Sequence, residues 1–122
     1  MALPVLVVDD STLAREFLIQ SLPSDWDIEV TQATNGADAL VLCRQGKADI
    51  MFLDLTMPGM TGFQVLEAIR AESLQSFVIV VSADVQPEAQ ARVRAAGARA
   101  FIQKPATGDK LSAVLKEHGL HG

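Results

Sequence analysis

The chain has a single cysteine among its 122 residues, so no internal disulfide can staple it. Cys43 falls in a helical pattern and reads as a small buried apolar residue. Basic residues are also scarce. Ten Lys and Arg against fifteen Asp and Glu leave a net charge of −5 and a pI near 4.8, which argues against a surface built to grip nucleic acid. Long apolar runs are missing too. Residues 1–8 are apolar but short, carry Pro4 and run into acids with no basic flank or cleavage signal. They are neither a signal peptide nor a membrane span, and the expected location is the cytoplasm. No repeat, low-complexity tract or linker interrupts the chain, so one domain over residues 1–122 is expected. Hydrophobic residues are plentiful at 49%, which excludes a disordered tail and allows a sizeable core.

Apolar runs alternate with helix-like stretches from end to end. Strands are expected at residues 5–8, 27–34, 48–55, 77–82 and 99–104. Helices are expected at 13–22, 62–72, 87–96 and 111–117, and one more opens at Asn35-Gly36 and closes at Gly46. Pro23 ends the first helix, while Pro87 lies in the first turn of the fourth and Gly97 follows its end. Short connections between five βα units imply an α/β fold, a three-layer doubly wound parallel sheet with helices on both faces. Periodicity does not give the strand order. It does direct attention to the carboxyl ends of the strands, where functional groups gather in such sheets.

The first strand, "VLVV", ends in two adjacent aspartates, Asp9 and Asp10. Ser11 or Thr12 can cap the helix that follows, so capping does not require both acids. The third strand delivers Asp54, the fourth Ser82 and the fifth Lys104, whereas the second ends in Thr34 and Asn35, which places it away from the others. Two carboxylates about 5 Å apart repel by about 3 kcal/mol at an effective dielectric near 20. A divalent cation relieves that repulsion, and oxygen-only ligands point to Mg²⁺ or Mn²⁺, not zinc. A cation, a lysine and a hydroxyl together form a receptor for a phosphoryl group, and Asp54 can act as the nucleophile. Taken singly, each residue has a bland explanation: a strand-end Asp as a turn residue, Ser82 as a helix cap, Lys104 as a solvated surface lysine. Their recurrence at successive strand ends raises the functional reading.

With "VDD" at Val8 to Asp10, "DLTMPGMTG" at Asp54 to Gly62, "VSA" at Val81 to Ala83 and "KP" at Lys104-Pro105, the sequence resembles the receiver domains of bacterial two-component response regulators along essentially its whole length. The resemblance implies a flavodoxin-like strand order 2-1-3-4-5 and phosphorylation of Asp54 by a sensor histidine kinase or a phosphotransfer protein. It implies Mg²⁺ held by Asp9, Asp10, Asp54 and the carbonyl of Thr56, with Asp10 the direct ligand of the acidic pair and Asp9 acting partly through water. It further implies that Lys104, Ser82 and the N–H groups of Thr56 and Ala83 contact the phosphoryl group. Phe101 would turn inward as Ser82 moves, and the Lys104-Pro105 bond would be cis. A downstream target would then read the face made by the fourth helix, fifth strand and fifth helix, with no membrane or nucleic-acid contact by this domain.

Three positions depart from the commoner family pattern. Thr61 stands where an acid is frequent, Ser82 where threonine is usual, and Phe101 where tyrosine is common, so no phenolic oxygen is available there. Thr56 and Asp84, two residues beyond Asp54 and Ser82, should overlook the path of an attacking water and tune the lifetime of the phosphoryl group. The resemblance implies that transfer to Asp54 and its hydrolysis are self-catalysed, so no enzyme acting on other substrates is expected. A pseudo-receiver that is never phosphorylated would usually lack an acid or the lysine, and none is missing here. A haloacid-dehalogenase-like phosphatase places its nucleophile after the first strand with an acid two residues on, but Thr56 occupies that place relative to Asp54. A flavin carrier would need a Ser/Thr/Gly-rich phosphate loop where Asp9 and Asp10 stand.

Overall fold

The computed structural model describes residues 2–122, and Met1 lies outside it. Its elements follow in strict alternation: β1 (Leu3–Val8), α1 (Thr12–Ser21), β2 (Ile28–Ala33), α2 (Gly36–Arg44), β3 (Ile50–Leu53), α3 (Gly62–Ala71), β4 (Phe77–Ser82), α4 (Pro87–Ala95), β5 (Ala100–Gln103) and α5 (Gly108–Glu117). All neighbouring strands pair in parallel, in the order β2-β1-β3-β4-β5.

The continuous apolar runs are explained by burial on both faces. In β1, Leu6 and Val8 pack with Met51, Leu53, Val78 and Val80 against α2, α3 and α4, while Val5 and Val7 point the other way. That second face joins Phe52, Ile79 and Val81 to Leu18 of α1 and to Leu111 and Leu115 of α5. Cys43 is buried in the first of these cores, with its Sγ 3.0 Å from the Ser76 hydroxyl.

Helix starts follow local chemistry. The Ser11 hydroxyl accepts from the Ala14 N–H at 3.2 Å and so caps α1. Asn35 caps α2 by accepting from the Asp38 N–H at 2.8 Å. At α3, Thr61 and Gln64 form a reciprocal capping box, so the residue that departs from the family's frequent acid has a capping role of its own. Ser82 does not cap α4; the residue before that helix is Gln86, with no side-chain cap.

The strand order reverses direction at β1, so β1 and β3 leave a crevice beyond their carboxyl ends. Asp9 and Asp10 follow β1 directly, Asp54 follows β3, Ser82 closes β4 and Lys104 follows β5. The connections at the opposite rim carry Trp26, whose ring centroid lies 5.8 Å from that of His121.

Candidate functional site: an acidic pocket at the carboxyl rim

Asp9, Asp10 and Asp54 each bring a carboxylate oxygen to within 4.8 Å of the other two. Asp9 and Asp54 are buried and Asp10 is exposed. The Asp9 carboxylate is held from two sides, by the Ser11 N–H at 2.9 Å and by the Lys104 Nζ at 2.8 Å. The same ammonium lies 3.3 Å from Asp54 Oδ1. Lys104 therefore bridges two of the three acids. No side-chain hydrogen bond or ion pair engages Asp10 among the described residues.

Electrostatics in the pocket follow from this crowding. Burial raises the pKa of Asp54, and the neighbouring Asp9 charge raises it further. Lys104 and the Thr56 N–H pull in the other direction without cancelling the rise. For Lys104, burial disfavours the charged form, but the hydrogen bond to Asp9 and the charges of Asp54 and Asp9 outweigh it and raise its pKa. The ammonium is thus firmly charged, and it serves as a counterion for an acid cluster that still carries excess negative charge.

Three carboxylates converging from two strand ends, with no sulfur or imidazole among them, fit a hard divalent cation such as Mg²⁺. Asp54, Asp9 and Asp10 would supply side-chain oxygens, and Thr56 a main-chain one from the loop after β3.

The remaining expected residues lie at or just beyond the carboxyl ends of the strands, except Phe101, which is inside β5. Ser82 is fully buried at the end of β4, and its Oγ accepts from the Asp84 N–H at 3.1 Å. Ala83 and Asp84 are exposed at the head of the β4–α4 loop, and Asp84 Oδ1 accepts from the Gln86 N–H at 3.1 Å. Thr56 is exposed beside Asp54. Phe101 is half-buried, packed against the α2–α3–α4 core. The Lys104-Pro105 bond is cis. Thr34 and Asn35 lie at the edge of the sheet, Asn35 occupied as the α2 cap.

Two supports of the site were not anticipated from the sequence. Gly62 is one: a Cβ there would stand 2.5 Å from the Asp54 carbonyl oxygen and 2.8 Å from Leu55 Cα. The N–H of Gly62 donates to the Leu55 carbonyl at 3.0 Å, so the start of α3 is pressed onto the peptides that carry Asp54. The sequence marks Gly62 as the last residue of the "DLTMPGMTG" motif and as a small residue after the Thr61 cap, but not this contact. The other is a cavity of about 420 Å³ floored by Val7, Phe52 and Val81, which reaches Asp54 and Lys104 and is flanked by Leu13 and Phe17. These two α1 side chains are 78% and 46% exposed, so an apolar surface borders the acidic pocket. Their helical spacing of four was the available signal.

A family model for the response regulator receiver domain matches residues 5–116. The chain belongs to that family. As a receiver domain it is 35% identical to the chemotaxis protein CheY of Listeria monocytogenes over 94% of this chain and 97% of that protein. It is 34% identical to the sensor histidine kinase AruS of Pseudomonas aeruginosa, covering 97% of this chain but only 12% of that protein. The chain spans less than half the length of several curated relatives it matches. Among solved structures, the signal receiver domain of the NarL response regulator of Mycobacterium tuberculosis superposes with a TM-score of 0.86 at 33% identity, covering 97% of each chain. The receiver domain's five-stranded order is the one the sequence resemblance implied. Among the described residues, no helix is long and apolar enough to cross a membrane.

The position of Trp26 sets an optical prediction. It is the only tryptophan and lies at the rim opposite the acids. Added Mg²⁺ is expected to leave its emission nearly unchanged at concentrations where thermal shift reports binding. Saturable quenching over the same range would contradict it.

Proposed function

We propose that this receiver domain is a phosphoacceptor switch in which Asp54 takes a phosphoryl group from a phosphohistidine donor, a sensor histidine kinase or a phosphotransfer protein. The observation that carries the reading is the placement of Asp54: buried, 3.3 Å from the Lys104 ammonium, and within the three-carboxylate cluster. An Asp54 carboxylate oxygen attacks phosphorus, and the donor's P–N bond breaks as the new P–O bond forms. Lys104 favours the ionised, nucleophilic form of the carboxylate and then pairs with a phosphoryl oxygen, joined by the N–H groups of Thr56 and Ala83. Asp9, Asp10, Asp54 and the Thr56 carbonyl would hold Mg²⁺, which would supply positive charge against the phosphoryl oxygens. The exposed Leu13 and Phe17 give the donor an apolar surface next to the pocket.

The output step follows from charge. A phosphoryl group adds negative charge and acceptor oxygens. Ser82 gives up its bond to the Asp84 N–H to donate to one of them, and half-buried Phe101 moves into the space released. The changed surface is the face of α4, β5 and α5, which a downstream target reads.

The product is an acyl phosphate, which distinguishes it from a seryl phosphate. A small anionic phosphodonor with Mg²⁺ is expected to label the chain once, in a form that neutral hydroxylamine removes. No more than trace turnover of p-nitrophenyl phosphate should accompany it. A hydroxylamine-stable label, or rapid turnover of that ester, would contradict the reading.

The same pocket predicts the lifetime of the signal. Thr56 and Asp84 are both exposed on loops that follow strand ends. The carboxylate of Asp84 repels an anionic donor, so Asp84→Lys should speed labelling. Thr56→Ala and Thr56→Lys should chiefly change the decay rate, because this side chain can order or exclude the in-line water. Separate time courses of gain and loss check this. If all three variants stay within about twofold of the parent in both rates, roughly 0.4 kcal/mol in barrier height, the assignment fails.

A further inference from the structure

Four polar side chains are buried among the described residues: Asp9, Asp54, Ser82 and Arg15. The first three belong to the pocket. Arg15 lies on α1, 8% exposed, on the same helical stripe as buried Leu18 and Leu22. A buried guanidinium is normally paired with a carboxylate, because an isolated buried charge is costly. Arg15 has no carboxylate within ion-pair distance among the described residues. Its partners are neutral. Nη1 donates to the main-chain carbonyl of Asp9 at 2.7 Å, Nε to Gln32 Oε1 at 2.9 Å, and Nη2 to Thr12 Oγ1 at 3.3 Å.

The shortest of these bonds falls on the peptide that joins Asp9 to Asp10. The Asp9 side chain is already fixed by Lys104 and the Ser11 N–H. Asp10 has no side-chain partner, so the direction of its carboxylate depends on the orientation of the peptide before it. Gln32 on β2 and Thr12 on α1 hold the guanidinium, and the guanidinium holds that peptide. The fork geometry matters here, since a lysine ammonium at this place would not reproduce three donors in one plane.

We infer that Arg15 is a positioning residue for the acidic pocket, fixing the Asp9–Asp10 peptide so that the Asp10 carboxylate is aimed at the divalent cation. This rests on the reading of the pocket as a Mg²⁺ site. Side chains that orient ligands from behind typically change metal affinity by about 10–100-fold when replaced.

The test is the Kd for Mg²⁺ by titration calorimetry, with the metal-free melting temperature measured alongside. Arg15→Lys keeps the charge and loses the fork, and is expected to bind Mg²⁺ about tenfold more weakly. Arg15→Met also loses the fork but removes a cation that repels Mg²⁺, so its Kd should fall between those of Arg15→Lys and the parent. A purely electrostatic role predicts the reverse, with Arg15→Lys like the parent and Arg15→Met tighter; that result would overturn the inference. So would lowered melting temperatures with unchanged Kd values, the signature of a merely structural arginine. Should both variants fail to fold, Thr12→Val combined with Gln32→Ala removes two of the three anchors at exposed positions. That pair should weaken Mg²⁺ binding about threefold, and an unchanged Kd would overturn the inference. Absence of Mg²⁺ binding by the parent chain would remove the metal reading and this inference with it, whereas intact parent binding with indifferent variants removes this inference alone.

Discussion

Replacing Lys104 with methionine is expected to lower the metal-free melting temperature by about 8 °C at neutral pH. The ammonium stands 2.8 Å from Asp9 and 3.3 Å from Asp54, and its removal leaves three clustered acids without their counterion. Breaking a fully buried ion pair from one side costs about 3–5 kcal/mol. The Lys104 side chain is 28% exposed, so solvent screens part of this, and a loss of about 2 kcal/mol is expected. About 4 °C per kcal/mol suits a chain of this size. The raised pKa of Lys104 fixes the pH range: its contribution is complete below the ordinary lysine value and is lost as pH rises through the higher folded value. At neutral pH the full loss should therefore be seen. Mg²⁺ should restore more stability to Lys104→Met than it adds to the parent, because the cation takes over the neutralising role. A melting temperature within a degree or two of the parent's would show that the ammonium is not offsetting the acids.

Neutralising Asp54 should act in the opposite direction. Burial first, and then the charge of Asp9, raise its pKa, so the folded chain holds this proton more tightly than the unfolded chain. Stability from this group accordingly falls as pH rises from the ordinary carboxylate value through the folded value, and the cost is complete above it. Asp54→Asn keeps the shape and removes the charge. Its metal-free melting temperature should exceed the parent's by several degrees at neutral pH, and the gap should shrink as the pH falls through that window. Mg²⁺ bound only by the folded form would stabilise the parent more than the variant, closing the gap from the other side. Asp10→Asn should raise the metal-free melting point and blunt the Mg²⁺ response. A parent and an Asp54→Asn variant that melt together at every pH would show that the cluster carries no stability cost.

The alternation of elements was legible because β1, β3 and β4 are buried on both faces and helix ends carry local signals such as Gly46 and Pro23. Ends were less legible. The third strand was expected over residues 48–55 and pairs only over Ile50–Leu53, because Ala48 and Leu55 are buried by packing while their backbones have left the ladder. Strand order leaves no mark on periodicity and came only from the family resemblance. Asp9, Asp10, Asp54 and Lys104 were found because position at a strand end places side chains that are distant in sequence on one rim. Ser82 closes β4, the strand end its sequence position suggests, but its partner, the Asp84 N–H, lies in a loop geometry that residue types do not encode. Arg15 was missed because a charged residue between Ala14 and Glu16 reads as solvated surface. Its spacing of three and seven from Leu18 and Leu22 was the overlooked sign of burial. Gly62 was legible as the end of a motif and the start of a helix, but its close approach to the Asp54 peptide is a property of the packed fold.

The central claim is that Asp54 accepts the phosphoryl group in a Mg²⁺-supported pocket. Intact mass spectrometry of the chain after exposure to a small phosphodonor tests it most directly. The parent should gain the mass of one phosphoryl group with Mg²⁺ and essentially none with chelator, and Asp54→Asn should gain none under either condition. An Asp54→Asn variant that melts as a folded protein and gains the same mass at the parent's rate would contradict the account.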